Sequence, residues 1–303
     1  MNSFRYSRQS GIRYLERIVP GGPSARQCVP IKFARAMPIS RSFLAKWITR
    51  RRAPPGTLDV LSDVYSPELD NTRDIVVYRP ASYDRSAGRY PVIYMHDGQN
   101  LFDPETAFAG EWGVDRAIAH APRKARRALV VGIHNRGNER LNEYSPFVDR
   151  ERGGGLGDAY VDFIVNTLKP MIDERYSTQA DVASTGIVGS SMGGLLSLYA
   201  FFRAPAQFGF VGALSPALWF GGGAIFDCVK GAPFVPGRIY LDTGTREGPR
   251  TLINARDMRD LLESKGYKRG RDLRYVEDLG GMHNEAAWGR RFKRALPFLL
   301  GVH

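Results

Sequence analysis

The segment Gly189-Ser190-Ser191-Met192-Gly193 places a serine at the centre of a G-x-S-x-G pattern. The β-branched run Ile187-Val188 precedes it, and the helix-like run from Leu195 to Phe202 follows it. At such a strand-to-helix turn the serine hydroxyl projects outward, and the flanking glycines remove side chains that would clash. A Gly-rich chain can contain this pattern by chance, but the strand and helix around it predict that Ser191 is a nucleophile.

A serine hydroxyl attacks an ester only when a base removes its proton, and the base needs a carboxylate to orient it. Where a G-x-S-x-G turn carries the nucleophile, the acid and then the histidine follow it in sequence. Two histidines follow Ser191, namely His283 and the terminal His303, and chain ends are the least ordered positions. His283, between the last expected strand and the last expected helix, is therefore the candidate base.

The acid is expected after the apolar run Ile239-Tyr240-Leu241, where Asp242 and Glu247 both offer a carboxylate. Asp242 directly follows the run and can instead cap the turn there, as aspartates often do. Glu247 lies further out, nearer to where an orienting carboxylate belongs. Its position favours Glu247, but the spacing alone leaves both residues open.

Acyl transfer also needs two backbone N–H groups that stabilise the oxyanion. The residue after the nucleophile, Met192, supplies one, and a loop after an earlier strand supplies the other. The run Val92–Met95 leads into His96-Asp97-Gly98-Gln99-Asn100. Gly98 permits a tight backbone there, so Gln99 is the candidate for the second amide.

Several residues that could carry chemistry are assigned other roles. His96 and Asp97 precede the serine, which is the wrong order for triad members, and are expected to brace their loop by hydrogen bonds. Cys28 and Cys228 lie 200 positions apart, which suggests neither a disulfide nor a Cys-based metal site. The sequence contains no metalloprotease, Walker or dinucleotide motif in its proper context, so no cofactor and no metal are expected.

Two kinds of apolar pattern alternate along the chain. Short β-branched or aromatic runs predict strands at Ile75–Tyr78, Pro91–Met95, Ala128–Ile133, Thr185–Val188, Phe208–Leu214, Ile239–Leu241 and Leu273–Val276. Apolar residues at 3.6-residue spacing predict helices over Tyr160–Ile172, Ile253–Leu262 and Trp288–Leu299. This alternation predicts an α/β fold: a mostly parallel central sheet flanked by helices on both faces, with reactive groups at the carboxyl ends of the strands.

The net charge of +12 is concentrated near the N-terminus. Residues 1–56 hold twelve Lys or Arg and one acid, Glu16, so the remainder is nearly neutral. Pro54-Pro55-Gly56 ends this stretch and divides the chain into a basic, flexible extension at 1–56 and a globular domain at 57–303. The extension could contact an anionic surface, although its composition is also that of a solvated tail. The expected chemistry requires no nucleic acid.

The sequence gives less information about location and assembly. No stretch reaches the roughly 18 apolar residues that span a bilayer, and the N-terminal charges precede no apolar run of the kind found in secretory signals. A cytoplasmic location is therefore expected. The Arg- and Ser-rich extension also resembles an organelle transit peptide, which remains an alternative. The oligomeric state stays open.

Five segments together resemble the Putative esterase family, which groups enterochelin esterases, feruloyl and acetylxylan esterases, and mycolyltransferases. These segments are Tyr94–Phe102, Gly189–Gly194, Ser215–Trp219, Gly244–Glu247 and Met282–Trp288. The resemblance covers residues from about 57 to 300, which is the expected domain. It implies the α/β-hydrolase fold and a Ser-acid-His triad, and it leaves the extension unexplained.

The resemblance also implies roles for individual residues. It places the acid in the loop after a Gly-Thr pair, which favours Glu247, and the second oxyanion amide at Gln99. The segment that matches Ser215–Trp219 lies near the nucleophile in relatives, so Trp219 is a candidate substrate contact, with core packing as the alternative. Glu111-Trp112 also resembles segments of related hydrolases, which makes Trp112 a second candidate. Trp288 is expected in the core.

The expected function is hydrolysis of a small carboxylic ester through an acyl-enzyme on Ser191. A siderophore-type ester, an aryl ester such as a feruloyl ester, and an acetyl ester all fit the same triad. Transfer of the acyl group to an alcohol on that triad is one alternative. A non-catalytic binding protein that keeps the hydrolase fold as a scaffold is another.

Overall fold

The computed structural model describes residues 4–9, 12–17, 48–53, 56–85 and 87–302. The chain divides into two compact units, Met1–Lys46 and Trp47–His303. In the first unit, two strands form an antiparallel hairpin. Much of the basic extension lies outside the described residues, so its flexibility and its contact with an anionic surface stay predictions, as does the domain boundary at residue 57.

Strands and helices alternate over much of the described part of the chain. The strands are β1 (Phe4–Gln9), β2 (Ile12–Arg17), β3 (Ile48–Ala53), β4 (Gly56–Ser66), β5 (Asn71–Pro80), β6 (Val92–His96), β7 (Leu129–Ile133), β8 (Val148–Asp149), β9 (Gly153–Gly154), β10 (Thr185–Ser190), β11 (Phe210–Leu214), β12 (Arg238–Gly244) and β13 (Leu273–Asp278). The helices are α1 (Val114–Ala119), α2 (Arg140–Glu143), α3 (Gly157–Asp162), a π-helical segment (Phe163–Leu168), α4 (Lys169–Arg175), α5 (Met192–Arg203), α6 (Ala224–Gly231), α7 (Pro249–Ser264) and α8 (Glu285–Leu299).

The main sheet orders its strands β13-β12-β11-β10-β6-β7-β5-β4-β3. Strands β6, β7 and β10 to β13 run parallel, whereas β5, β4 and β3 continue the sheet antiparallel. Each of the seven predicted strands is present. The sequence pattern missed β4 because the buried Asp59 interrupts its apolar residues, and Asp59 is compensated by an ion pair with Arg79 of β5 at 2.9 Å.

Helices cover both faces of the main sheet, as predicted. One apolar cluster joins one face to α5, α6, α7 and the run from α3 to α4. The second cluster joins the opposite face to α1 and α8. Every residue of β6, β7, β10 and β11 is buried, which fits this arrangement because a strand covered on both faces has no solvent-facing side. Within the described ranges, no helix is both long and apolar enough to cross a membrane.

The fold brings the candidate site residues to one edge of the sheet. Ser191 follows β10, Glu247 follows β12, and His283 follows β13, while Gln99 lies just after β6. Because these four strands run parallel, the segments that follow them leave the sheet at the same edge.

Candidate active site

The turn that carries Ser191 is sharp and strained. Ser191 has φ 54° and ψ −120°, an uncommon conformation for a residue with a side chain, and α5 begins at the next residue. Its backbone is held on both sides, since its N–H donates to the Leu214 carbonyl at 3.0 Å and its carbonyl accepts from the Ala217 N–H at 2.9 Å. Strain of this kind persists only where the surrounding structure fixes it. The geometry is that of an exposed nucleophile turn.

The glycines on either side of the turn are required by close packing. A Cβ atom at Gly189 would lie 2.6 Å from the backbone of Gly193 and 2.7 Å from the His96 ring. Neither the Gly193 backbone nor the buried His96 can move away without displacing the turn. The two glycines of the pattern therefore let strand and helix approach closely enough to form the turn.

Replacing Gly189 by Ala is expected to lower the free energy of unfolding by about 1–3 kcal/mol, because overpacking in a close-packed interior displaces backbone. The urea midpoint of unfolding measures this effect. Gly231→Ala is the matched control, since a Cβ at Gly231 meets no atom within 4 Å. Equal midpoints for Gly189→Ala and the wild type would contradict the packing argument.

The candidate acid and base contact each other directly. His283 Nδ1 lies 2.9 Å from Glu247 Oε2, and the carboxylate side chain is 1% exposed whereas the imidazole is 43% exposed. An ionised carboxylate only accepts hydrogen bonds, so Nδ1 carries the proton that it donates to Glu247. In the neutral imidazole with its proton on Nδ1, the other ring nitrogen, Nε2, has a free lone pair and can act as a base.

Glu247 is held by further hydrogen bonds on its other oxygen. Oε1 accepts from Ser215 Oγ at 2.7 Å, from the Gly244 N–H at 2.8 Å and from Arg291 Nη2 at 2.9 Å. Burial by itself raises the pKa of the Glu247 carboxyl, but the hydrogen bonds from His283 and Ser215 and the charge of Arg291 outweigh it and hold the pKa below its ordinary value. Glu247 is therefore ionised at neutral pH.

Asp242, the alternative acid, points into the protein. It is fully buried and binds Arg291 Nη1 at 2.8 Å and the Ser215 N–H at 3.0 Å through the same oxygen, Oδ1. Burial raises the pKa of Asp242 to about 7, although the positive charge of Arg291 acts to lower it. The structure thus brings Glu247, and not Asp242, to the candidate base.

The loop expected to supply the second oxyanion amide packs against the nucleophile turn. Gln99 lies in the 3-10 turn Gly98–Asn100, and Met192 is the first residue of α5. The first N–H groups of a helical segment have no acceptor inside it, so both amides are available to a ligand. The strands before them, β6 and β10, pair in parallel with Met95 opposite Val188. Their roles as oxyanion donors stay predictions.

Asp97 and His96 hold this loop. The Asp97 carboxylate accepts from Arg140 Nε at 2.7 Å and Nη2 at 2.9 Å, and from Asn135 Nδ2 at 2.7 Å. Burial alone raises the pKa of Asp97, but Arg140 and Asn135 outweigh it and lower the pKa. Burial lowers the pKa of His96 to about 4, so its ring is neutral at pH 7 and packs beneath the turn. Asp97 braces the loop by hydrogen bonds, as the sequence predicted, whereas His96 supports it mainly by packing.

Comparison with known proteins identifies the family. The family model described as Putative esterase matches residues 66–299, more than half of the chain. The chain belongs to the Putative esterase family. The esterase is 27% identical over 244 residues to the uncharacterized protein YbbA of Bacillus subtilis, an alignment that covers 76% of this chain and 93% of YbbA. It is 32% identical over 144 residues to the siderophore triacetylfusarinine C esterase of Aspergillus fumigatus, covering 45% of this chain and 48% of that enzyme.

Solved structures share the fold. The BES protein from Bacillus cereus superposes with a TM-score of 0.65 at 17% identity, over 92% of this chain and 99% of that one. The enterobactin esterase FES from Shigella flexneri gives a TM-score of 0.62 at 19% identity, over 82% of this chain and 59% of that one. The architecture is the predicted α/β-hydrolase type. Family membership makes the protein an ester hydrolase, which sets aside a non-catalytic scaffold.

The two candidate substrate contacts have different environments. Trp219 is 37% exposed, and the Arg152 guanidinium lies 5.5 Å from the centre of its ring, so core packing is not its role. Trp112 is 7% exposed, and its ring packs 6.0 Å from Trp288 and 6.2 Å from Phe292 in the core. Trp219 remains a candidate for substrate contact, whereas the burial of Trp112 favours a packing role.

Three residues of the esterase contact the candidate triad although no sequence motif predicted a role for them there. Trp288 was expected only in the core, yet its ring lies edge-on 4.9 Å from the His283 ring. Arg291 and Ser215 both contact Glu247. The sequence contains one signal for Arg291, since it is four positions from both Ala287 and Ala295 and so lies on the buried face of its helix. A charged side chain on a buried face needs a buried partner.

Proposed function

We propose that the esterase hydrolyses a carboxylic ester through an acyl-enzyme on Ser191. One arrangement supports this function: a strained turn presents Ser191 at the sheet edge where the loops after β12 and β13 hold Glu247 and His283 2.9 Å apart. The order of nucleophile, acid and base along the chain is that of α/β-hydrolases. The ionised Glu247 and the Nδ1-protonated tautomer of His283 are the states that such a mechanism needs.

The proposed reaction has two steps. Ser191 Oγ attacks the ester carbonyl carbon while His283 Nε2 takes the hydroxyl proton, and the Met192 and Gln99 N–H groups stabilise the oxyanion. The C–O bond to the alcohol then breaks, and the alcohol leaves with the proton from His283. In the second step, water attacks the acyl-Ser191 ester with His283 again as base. The acid is released and the serine hydroxyl is restored.

The proposed substrate is a small ester of the siderophore, aryl or acetyl class. Relatives with siderophore esters in their names support this class, as does a 25% identical match over 196 residues to an endo-1,4-beta-xylanase/feruloyl esterase of Xylanibacter ruminicola. Pro216 lies just after β11, and Trp219 lies three positions further along the chain. The exposed Trp219 ring offers a flat apolar surface for an acyl or alcohol group.

A fluorophosphonate probe tests the nucleophile, because it forms a stable covalent bond with an activated serine. We expect one adduct per chain, located on the peptide that contains Ser191 by mass spectrometry, and loss of p-nitrophenyl butyrate turnover in proportion to labelling. Prior heat denaturation should abolish the reaction, since an unactivated serine is a poor nucleophile. Full turnover in a completely labelled sample, or an adduct on another residue, would refute the assignment of Ser191.

A panel of esters then tests the substrate class. Trilactone siderophores, feruloyl esters, acetylated sugars and short aliphatic esters are compared by kcat/KM at one pH. We expect a preference of at least ten-fold for one class, since a pocket that contacts one acyl or alcohol group better than another contributes about 1.4 kcal/mol or more. Uniformly slow turnover of every member would contradict a small ester as substrate.

A further inference from the structure

Ser215 lies between the nucleophile turn and the acid. It directly follows β11, the strand between β10 and β12, and it is fully buried. Its φ of 43° is in the left-handed region, which is uncommon for a residue with a side chain. Like Ser191, it is held in a strained conformation at the sheet edge. The structure must therefore supply contacts that compensate this strain.

The backbone around Ser215 is bonded to both neighbouring strand ends. Leu214 and Ala217, on either side of it, hydrogen-bond to the N–H and the carbonyl of Ser191 at 3.0 and 2.9 Å. On the other side, the Ser215 N–H donates to Asp242, reaching its carbonyl at 3.1 Å and its Oδ1 at 3.0 Å. The segment thus connects the nucleophile turn to the strand that leads to the acid.

The hydroxyl of Ser215 uses all of its hydrogen-bonding capacity. Oγ donates to Glu247 Oε1 at 2.7 Å, and it accepts from Trp288 Nε1 at 3.1 Å and from Arg291 Nη1 at 3.0 Å. A hydroxyl has one proton and two lone pairs, so the two donors from α8 direct its single proton at Glu247. The hydroxyl therefore fixes the orientation of the carboxylate.

Arg291 binds the same carboxylate oxygen as Ser215 and connects it to further groups. Its side chain is 1% exposed; Nη1 binds Asp242 Oδ1 at 2.8 Å, while Nη2 binds Glu247 Oε1 at 2.9 Å. Nη2 also donates to the carbonyl of Met282, the residue before His283, at 3.0 Å. Nε lies 3.8 Å from Asp278 at the end of β13. One planar guanidinium thus connects the acid, the segment that carries the base, and two strand ends.

We propose that Ser215 and Arg291 are positioning residues, which hold the Glu247 carboxylate towards His283 and fix the distance between the nucleophile turn and the base. This proposal rests on the proposed triad. Neither residue donates to or accepts from His283, and both act through Glu247 or through the backbone. Their removal therefore lowers kcat by misplacing the acid-base pair, while substrate binding is retained.

Kinetics of Ser215→Ala test the proposal with p-nitrophenyl butyrate. We expect kcat to fall about ten- to a hundred-fold, the range for losing a hydrogen bond to a charged group, with KM changed by less than about two-fold. Ser215→Gly removes the same hydroxyl but accommodates the positive φ, so it serves if the alanine variant folds poorly. Ser66→Ala is the matched control, because Ser66 is also fully buried and also donates to a carboxylate, Glu68, at 3.2 Å.

A double-mutant cycle separates positioning from general structural damage. If Ser215 acts through Glu247, then Ser215→Ala in a Glu247→Gln background should change kcat by less than about three-fold. The same loss in both backgrounds would overturn the proposal. Proton NMR gives a second measurement: the low-field signal of the His283 Nδ1–H should shift or disappear in Ser215→Ala and persist in Ser66→Ala. An unchanged signal together with unchanged kcat would also overturn it.

Arg291 is tested by graded substitution. Arg291→Lys keeps a buried charge and should retain at least about ten-fold more kcat than Arg291→Met, while Arg294→Met, on an exposed arginine of the same helix, should match the wild type. Equal kcat for Arg291→Met and Arg294→Met would refute the role of Arg291. Fluorophosphonate labelling distinguishes the two proposals: no adduct on wild-type Ser191 means that the triad assignment fails, whereas wild-type labelling with unaffected variants means that only the positioning proposal fails.

Discussion

Replacing Ser191 by Ala is expected to lower kcat for p-nitrophenyl butyrate by about 10⁴- to 10⁶-fold, the range found when a serine protease loses one member of its triad. The substitution removes one oxygen and leaves the backbone, the oxyanion amides and the Glu247–His283 pair in place. KM should therefore change little, because the groups that bind substrate remain. The residual activity is measured as the initial rate at a high concentration of the variant enzyme, after subtraction of the rate of spontaneous hydrolysis.

The control for this variant lies in the same motif. Ser190 is also a serine, it is buried at the end of β10, and its replacement by Ala should keep kcat within about ten-fold of the wild type. Adding His283→Ala to Ser191→Ala should cost less than about ten-fold more, because residues that act as one unit are not additive. Independent, multiplying losses would show that His283 does not serve Ser191.

Much of the fold and part of the candidate site could be predicted because their signals are local. Apolar runs indicate buried strands, and apolar residues at 3.6-residue spacing indicate helices. The alternation of strands and helices, and a sheet with helices on both faces, could therefore be predicted from the sequence alone. Ser191 has a signal that depends on its immediate neighbours. His283 followed from elimination, and the Glu247 contact with it agrees with the position of Glu247 in its loop.

The contacts of the supporting residues could not be predicted, because they join distant positions; the helix face of Arg291 indicates that it has a buried partner but not which one. Ser215 meets Arg291 across 76 positions, and Asp242 meets Arg291 across 49. A serine after a strand has no local signal for a hydrogen bond to an acid on another loop. The packing of Trp112 against Trp288 also depends on a distant contact, and the substrate contact that the family resemblance suggested for Trp112 stays a prediction.

Glu247→Gln is expected to lower kcat about 10³- to 10⁴-fold, whereas Asp242→Asn should lower it less than about ten-fold. A glutamine amide can donate to His283 Nδ1, which places the proton on Nε2 and removes the base; this tautomer change costs about 10⁴-fold in a serine protease. An asparagine at 242 still accepts from Ser215 and Arg291, and it has no contact to His283 to disturb. The kcat of the two variants at pH 8 decides between the acids.

The reverse result, with Asp242→Asn the more damaging variant, would make Asp242 the acid and Glu247 its support. Unfolding measurements show whether a variant loses activity only because it unfolds, since both carboxylates bind one buried guanidinium. Each single variant leaves Arg291 a carboxylate partner and should fold. The double variant leaves it only Asp278, at 3.8 Å, and should lose about 3–5 kcal/mol of unfolding free energy, as when a buried ion pair loses one member. Both single variants leave one carboxylate bound to the guanidinium, so they are matched in the loss of buried charge. Only Glu247→Gln changes the hydrogen bond to His283, so it should lose more kcat than Asp242→Asn.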